Sequence, residues 1–170
     1  MNAFTPSFDE LPDSLPIFPL VGVLLLPRGQ LPLNIFEPRY LAMVTSALGG
    51  DRMIGMIQPK DSTSDDANPQ VYQTGGAGRI IRFEEMEDGR FLINLLGWSR
   101  FKIREERGLN RGFRSVIADW TPYRTDLEKS ESSEFDRERL LRSLRSYFEI
   151  QGIQVDWENV QEAQDERLIN

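Results

Sequence analysis

Two groups of carboxylates stand close enough in sequence to do chemistry together: Glu84, Glu85, Glu87 and Asp88, and then Asp61, Asp65 and Asp66. The first group could share a proton for general acid–base work. It lies in EEMEDGR, where Glu87-Asp88-Gly89 reads as a tight turn between two strands, so the acids form a solvated hairpin tip. The second group could hold a hard cation. It lacks the full loop of oxygen ligands and the central glycine of a calcium loop. The acids after residue 126 fall on exposed helix faces. There is no histidine and no cysteine, which removes Ser-His-Asp and Cys-His nucleophiles and every zinc site that needs either residue. The three lysines, Lys60, Lys102 and Lys129, follow no glycine, so no Walker loop is present. None sits in an apolar run, as a Ser–Lys site would require. Gly75-Gly76-Ala77-Gly78-Arg79 is glycine-rich, but it lacks the strand-then-helix context of a dinucleotide site and reads as a β-turn entering a strand.

Binding is the remaining chemistry. Arg79, Arg82, Arg100, Lys102 and Arg104 are interleaved with Trp98 and Phe101, a composition that can serve RNA. Strand alternation, with arginines out and aromatics in, accounts for the same pattern. Met43, Met53 and Met56 could furnish an adaptable apolar surface or fill a core. Glu37 and Arg39 flank a helix start and read as its anchors.

The chain has 170 residues and a net charge of −7. Residues 76–125 carry 10 basic and 7 acidic side chains, net +3, while the segments on either side are net −4 and −6. The overall acidity opposes non-specific nucleic-acid binding. The absence of cysteine suits a reducing cytoplasm. The apolar run from Ile17 to Leu26 is about half a bilayer span. It contains Pro19 and Gly22 and follows Asp9, Glu10 and Asp13, the reverse of a signal sequence. It is expected to be core of a cytoplasmic protein, with no membrane contact.

The elements that must position these residues follow from periodicity. Met1 to Ser14 reads as a polar arm. PLVGVLLLP (19–27) is continuous and apolar with proline at both ends, the pattern of a strand buried on both faces. Arg28-Gly29-Gln30 reads as a turn. In LPLNIF (31–36), Leu31, Leu33 and Ile35 alternate inward. EPRYLAMVTSALGG (37–50) reads as a helix with Pro38 in its first turn, a stripe of Tyr40, Leu41, Val44 and Leu48, and Gly49 in the left-handed cap. RMIGMIQP (52–59) is a third strand and residues 60–70 a loop. Residues 76–106 form a hairpin about Glu87-Asp88-Gly89, with a bend or bulge at Gly97. Residues 111–123 give another strand. Residues 131–152 form a helix capped by Ser132 or Ser133, with Phe135, Leu140, Leu141, Leu144, Tyr147 and Phe148 in one stripe. A second helix spans 156–169, capped by Asp156. The order is α+β, with a β-rich domain at 14–124 holding one inserted helix and a helical part at 130–170.

Two blocks then carry a family resemblance. Leu31-Pro32-Leu33, Ile35-Phe36-Glu37-Pro38-Arg39-Tyr40 and Met43 form one. Gly78-Arg79, Asp88-Gly89-Arg90 and Gly97-Trp98-Ser99-Arg100-Phe101 form the other. Together they resemble the N-terminal domain of the Lon family of ATP-dependent proteases, and more closely its short free-standing bacterial forms, over about residues 15 to 168. The resemblance implies a PUA-like β pseudobarrel followed by a helical subdomain, which in the family usually continues past Leu168. It implies substrate recognition and no catalytic residue. The ATPase and Ser–Lys peptidase of the full proteases lie in later domains and are not expected in this sequence.

The resulting expectation is a non-enzymatic protein-binding module without cofactor or metal. Its partner would be an unfolded or degron-bearing polypeptide, an adaptor or a protease, with weak self-association left open. The binding surface is expected at Phe36, Tyr40, Met43, Met53, Met56 and Trp98, on the seam between barrel and helices. The alternative is a PUA-like RNA-binding module using Arg79, Arg82, Arg100, Lys102 and Arg104.

Overall fold

The structure is a computed structural model and describes residues 7–63, 66–128 and 136–152, with positions 155, 157 and 160. The chain divides into two compact units, Met1–Glu128 and Lys129–Asn170.

The first unit is mixed α and β, dominated by six strands: β1 (Ser14–Pro19), β2 (Gln30–Ile35), β3 (Met53–Ile57), β4 (Thr74–Glu85), β5 (Phe91–Asn110) and β6 (Phe113–Asp119). Helix α1 (Pro38–Leu48) lies between β2 and β3. Neighbouring strands run β2-β5-β4-β3-β1-β6, and β6 pairs again with β5. Five strands therefore close in a ring, with β2 attached outside it. The length of β5 makes this possible. Its first half pairs β2 through Leu96↔Gln30 to Phe91↔Ile35, and its second half pairs β6 through Lys102↔Asp119 to Asn110↔Phe113. β1 and β3 are the parallel pair, joined by the crossover that contains α1.

Two apolar clusters result. Leu15, Ile17, Phe101, Val116 and Trp120 belong to one, where Trp120 Nε1–H donates to Pro12 O at 3.0 Å. The other joins α1 to the strands through Tyr40, Met43, Val44 and Ala47, packed with Phe18, Ile54, Met56 and Leu95. The α1 stripe differs from expectation by including Met43 and Ala47, while Leu41 and Leu48 are only half-buried. Pro38 opens α1 as expected. Gly49 closes it in a right-handed conformation (φ −80°), its N–H donating to the carbonyls of Thr45 and Ala47. The left-handed residue is Arg52, φ 60°.

The main departure concerns the apolar run. β1 ends at Pro19, and residues 20–29 form no strand. Proline at both ends and Gly22 at φ 73° suit this irregular path. The hairpin turn is as expected, with Gly89 N–H on Met86 O at 2.9 Å. So is the irregularity at Gly97: the register slips between Ala77↔Ser99 and Gly78↔Gly97, leaving Trp98 without a partner across the strand. The last strand stops at Asp119, and Thr121–Leu127 is a short 3-10 segment.

In the second unit, α2 spans Arg137–Gln151. Its N-cap is Asp136, whose carboxylate accepts from Arg139 N–H at 2.9 Å. The helix thus begins after Ser132, Ser133 and Phe135, which lie outside the described residues. Leu140, Leu141, Leu144 and Phe148 are half-buried, and Tyr147 is exposed. The expected second helix at 156–169, with its cap Asp156, falls almost wholly outside the described residues. Among the described residues no helix is long and apolar enough to cross a membrane.

Candidate functional site: a pinned apolar loop

Residues 20–29 solve a backbone problem that a strand would have solved by pairing. Their polar groups need partners, and two clamps supply them. At the first, Leu20 N–H donates to Ile57 O (3.0 Å) and Gly22 N–H to Gln58 Oε1 (3.1 Å), while Gln58 Nε2 donates to Val23 O. At the second, Arg28 N–H donates to Gly97 O (2.7 Å), and Gly97 N–H donates to Gly29 O (2.8 Å). Between the clamps Leu25 is buried among Ile80, Leu95 and Met56. The loop lies so close to the strands that the Leu25 carbonyl occupies the place of a side chain at Gly76, and the Leu26 carbonyl that of one at Gly97. Gly76 and Gly78 of β4, with Gly97 of β5, are therefore a floor that receives a loop, while a side chain at Gly75 would meet Phe101 and the Met56 carbonyl instead. The expected turn at the start of the glycine-rich stretch is absent, since β4 begins at Thr74.

This bed turns three apolar side chains outward. Val21, Leu24 and Leu26 are 48%, 74% and 41% exposed. Burying a Leu contributes about 1.5–3 kcal/mol, so a fixed loop that holds Leu24 in water forgoes most of that. Single exposed apolar residues are ordinary; three within six residues, on a backbone held at both ends, resemble an interaction surface. Tyr72 is also exposed, and its N–H donates to the backbone oxygen of Gln58, the residue that clamps the loop.

Five of the six side chains expected to bind a partner are elsewhere. Tyr40, Met43, Met53, Met56 and Trp98 are all at most 7% exposed. Tyr40, Met43 and Met56 hold α1 to the strands, while Met53 and Trp98 belong to the other cluster. Burial makes them core; it also pushes the Tyr40 phenol above its ordinary range. Only Phe36 of the set is at the surface, 64% exposed just past the end of β2. On one side β2 has no pairing among the described strands and carries Pro32, as edge strands do.

The basic group alternates as strand geometry requires. Ile80, Phe101 and Ile103 point inward; Arg82, Arg100, Lys102 and Arg104 are exposed. Several charges are already engaged. Arg100 makes a two-pronged bond to Asp126 (2.9 and 2.7 Å) and lies 4.6 Å over the Tyr123 ring. Arg82 pairs with Glu84, and the Arg79 guanidinium lies 5.3 Å from the centre of the Trp98 ring. Of the acids, Asp88 pairs with Arg90, and its backbone and side-chain bonds hold it below the usual carboxylate range. Asp61 is lowered likewise by Thr63. Among the described residues no three His, Cys, Asp or Glu side chains converge on a metal position.

Comparison with known proteins places this architecture. The family model of the ATP-dependent protease La (LON) substrate-binding domain matches residues 14–168. The chain belongs to this family. Among curated relatives, the Lon protease of Parabacteroides distasonis is 31% identical over 129 residues, which are 74% of this chain and 16% of that protein. The Lon protease of Flavobacterium johnsoniae is 32% identical over 98 residues, 57% of this chain and 12% of that protein. The chain thus spans less than a fifth of the relatives it matches. Among solved structures, a Lon N-terminal domain protein from Xanthomonas campestris superposes with TM-score 0.52 at 30% identity, covering 63% of this chain and 59% of that one. The N-terminal domain of the Mycobacterium avium complex Lon protease gives 0.52 at 15% identity over 81% and 72%, a likeness of fold. The matched Lon domain is a substrate-binding domain and not a catalytic one. That fits a substrate-recognition module; the RNA-binding alternative is not supported.

The loop was missed in sequence because an apolar run signals burial without saying which atoms are buried. The available signal was Gly22 within the run, together with a glycine row in a strand that had no need of one.

Proposed function

We propose that this chain is a non-enzymatic polypeptide-binding module, built on a PUA-like β pseudobarrel (14–124) with a helical subdomain after it (130–170), and working in the cytoplasm. It holds apolar segments of an unfolded or degron-bearing polypeptide, or of an adaptor, against the pinned loop. The observation that carries this reading is the loop itself, whose backbone is fixed by five hydrogen bonds to Ile57, Gln58 and Gly97 while Val21, Leu24 and Leu26 face outward. A surface held in place before binding loses little conformational freedom on binding. Phe36 and the open side of β2 offer an extended segment a second hold by strand addition.

Amide shift mapping tests the reading. A permanently unfolded, apolar-rich polypeptide should move resonances of residues 20–29 and 72, with a short RNA as comparison. Shifts confined to 79–104, or seen only with RNA, would refute it.

A further inference from the structure

A polar cleft of about 230 Å³ opens between the C-terminal turn of α1 and the neighbouring strands β1 and β6. Its polar lining is Ser14, Ser46, Ser115, Asn110 and Asp51, and its apolar wall includes Pro16 and Phe113. No lysine or arginine lines it. Among the described residues, none of these five side chains has a hydrogen bond or ion pair within the protein. Ser14, Ser46, Asp51 and Asn110 are exposed and Ser115 is half-buried, so their hydrogen-bonding groups face solvent and are open to a ligand.

The charge of the cleft is one-sided. Ser46 and Ala47 belong to the last turn of α1, where the helix dipole amounts to about half a negative charge, and Gly50 follows the cap. Asp51 adds a full one. An anion would meet the negative end of the helix and a carboxylate, with no lysine or arginine in the lining to offset them. A bare metal ion would find a single carboxylate where hard cations take six or more oxygens. The volume is that of roughly seven or eight water molecules, room for one long side chain.

From this geometry we infer that the cleft receives a lysine or arginine side chain of the bound polypeptide. The stem lies along Pro16 and Phe113, and the charged end sits between Asp51 and the hydroxyls of Ser46 and Ser115. The inference rests on the polypeptide-binding reading and adds a charge preference to it, at a place separate from the loop.

Two peptides of identical apolar sequence, one with a central lysine and one with glutamine there, test it, alongside n-butylammonium chloride as a free amine. The lysine peptide should bind at least fivefold tighter than the glutamine peptide and shift the amides of residues 46–51 and 115. Asp51→Asn should erase that preference while leaving glutamine-peptide affinity and the shifts at 20–29 unchanged. Equal binding of the two peptides, or a preference that survives Asp51→Asn, overturns the inference and leaves the polypeptide reading standing. If neither peptide binds, the polypeptide reading fails. Shifts at 46–51 with butylammonium alone would assign the cleft to a free amine and overturn its assignment to a polypeptide side chain.

Discussion

The carbonyl oxygen of Leu25 stands where a side chain on Gly76 would have to be. This relationship joins two parts of the sequence that look unrelated. The most apolar run of the chain and its only glycine-rich stretch are the two faces of one contact. Leu25 itself packs into the core, and by doing so it sets the direction of Leu24 and Leu26 on either side.

Gly76→Ala and Gly97→Ala should therefore destabilise the protein, because backbone oxygens, which cannot move aside cheaply, meet the new methyl group. The expected loss is about 2–3 kcal/mol each, as for overpacked cores. Urea midpoints measure it. A neutral outcome at both positions would mean that the loop is not seated on the strands.

Met43→Ala and Met56→Ala should cost about 2–5 kcal/mol, since both side chains are at most 2% exposed. Phe36→Ala, at an exposed site, should change stability by less than about 0.5 kcal/mol. Thermal unfolding of the three variants separates core from surface. It also settles which of the methionines and aromatics around α1 are free to meet a partner.

The contrast shows how far sequence reasoning reached. Pro38, Glu87-Asp88-Gly89 and the alternation of Leu31, Leu33 and Ile35 act locally, and each element they define was legible. So were the family blocks around Ile35–Tyr40 and Gly97–Phe101. The site was not, because the sequence shows apolar residues and not their partners. Tyr40 and Met43 face strands far off in sequence, and Val21 and Leu24 face none. Gln58, whose side chain clamps the loop from 35 and 36 residues away, has no local signature at all.

Arg100 and Asp126 fasten the Thr121–Leu127 segment to β5. Burial alone would raise the Asp126 carboxyl; the side-chain and backbone bonds from Arg100 outweigh it and hold it below its usual range. A depressed carboxylate contributes stability that is fully present above its unfolded pKa, about 3.9, and is lost as pH falls through the lower folded value. Asp126→Asn should thus cost about 1–2 kcal/mol at pH 7, with the gap to wild type closing below about pH 4. Urea midpoints at pH 7 and pH 3 check both the size and the sign.

The central claim is that the pinned loop binds apolar polypeptide through side chains that folding leaves unused. Leu24→Ser tests it most directly, since Leu24 is 74% exposed and the change should alter stability by less than about 0.5 kcal/mol. Affinity for a permanently unfolded, apolar-rich polypeptide should fall at least about fivefold, equivalent to about 1 kcal/mol. An unchanged affinity in an equally stable Leu24→Ser variant would contradict the account.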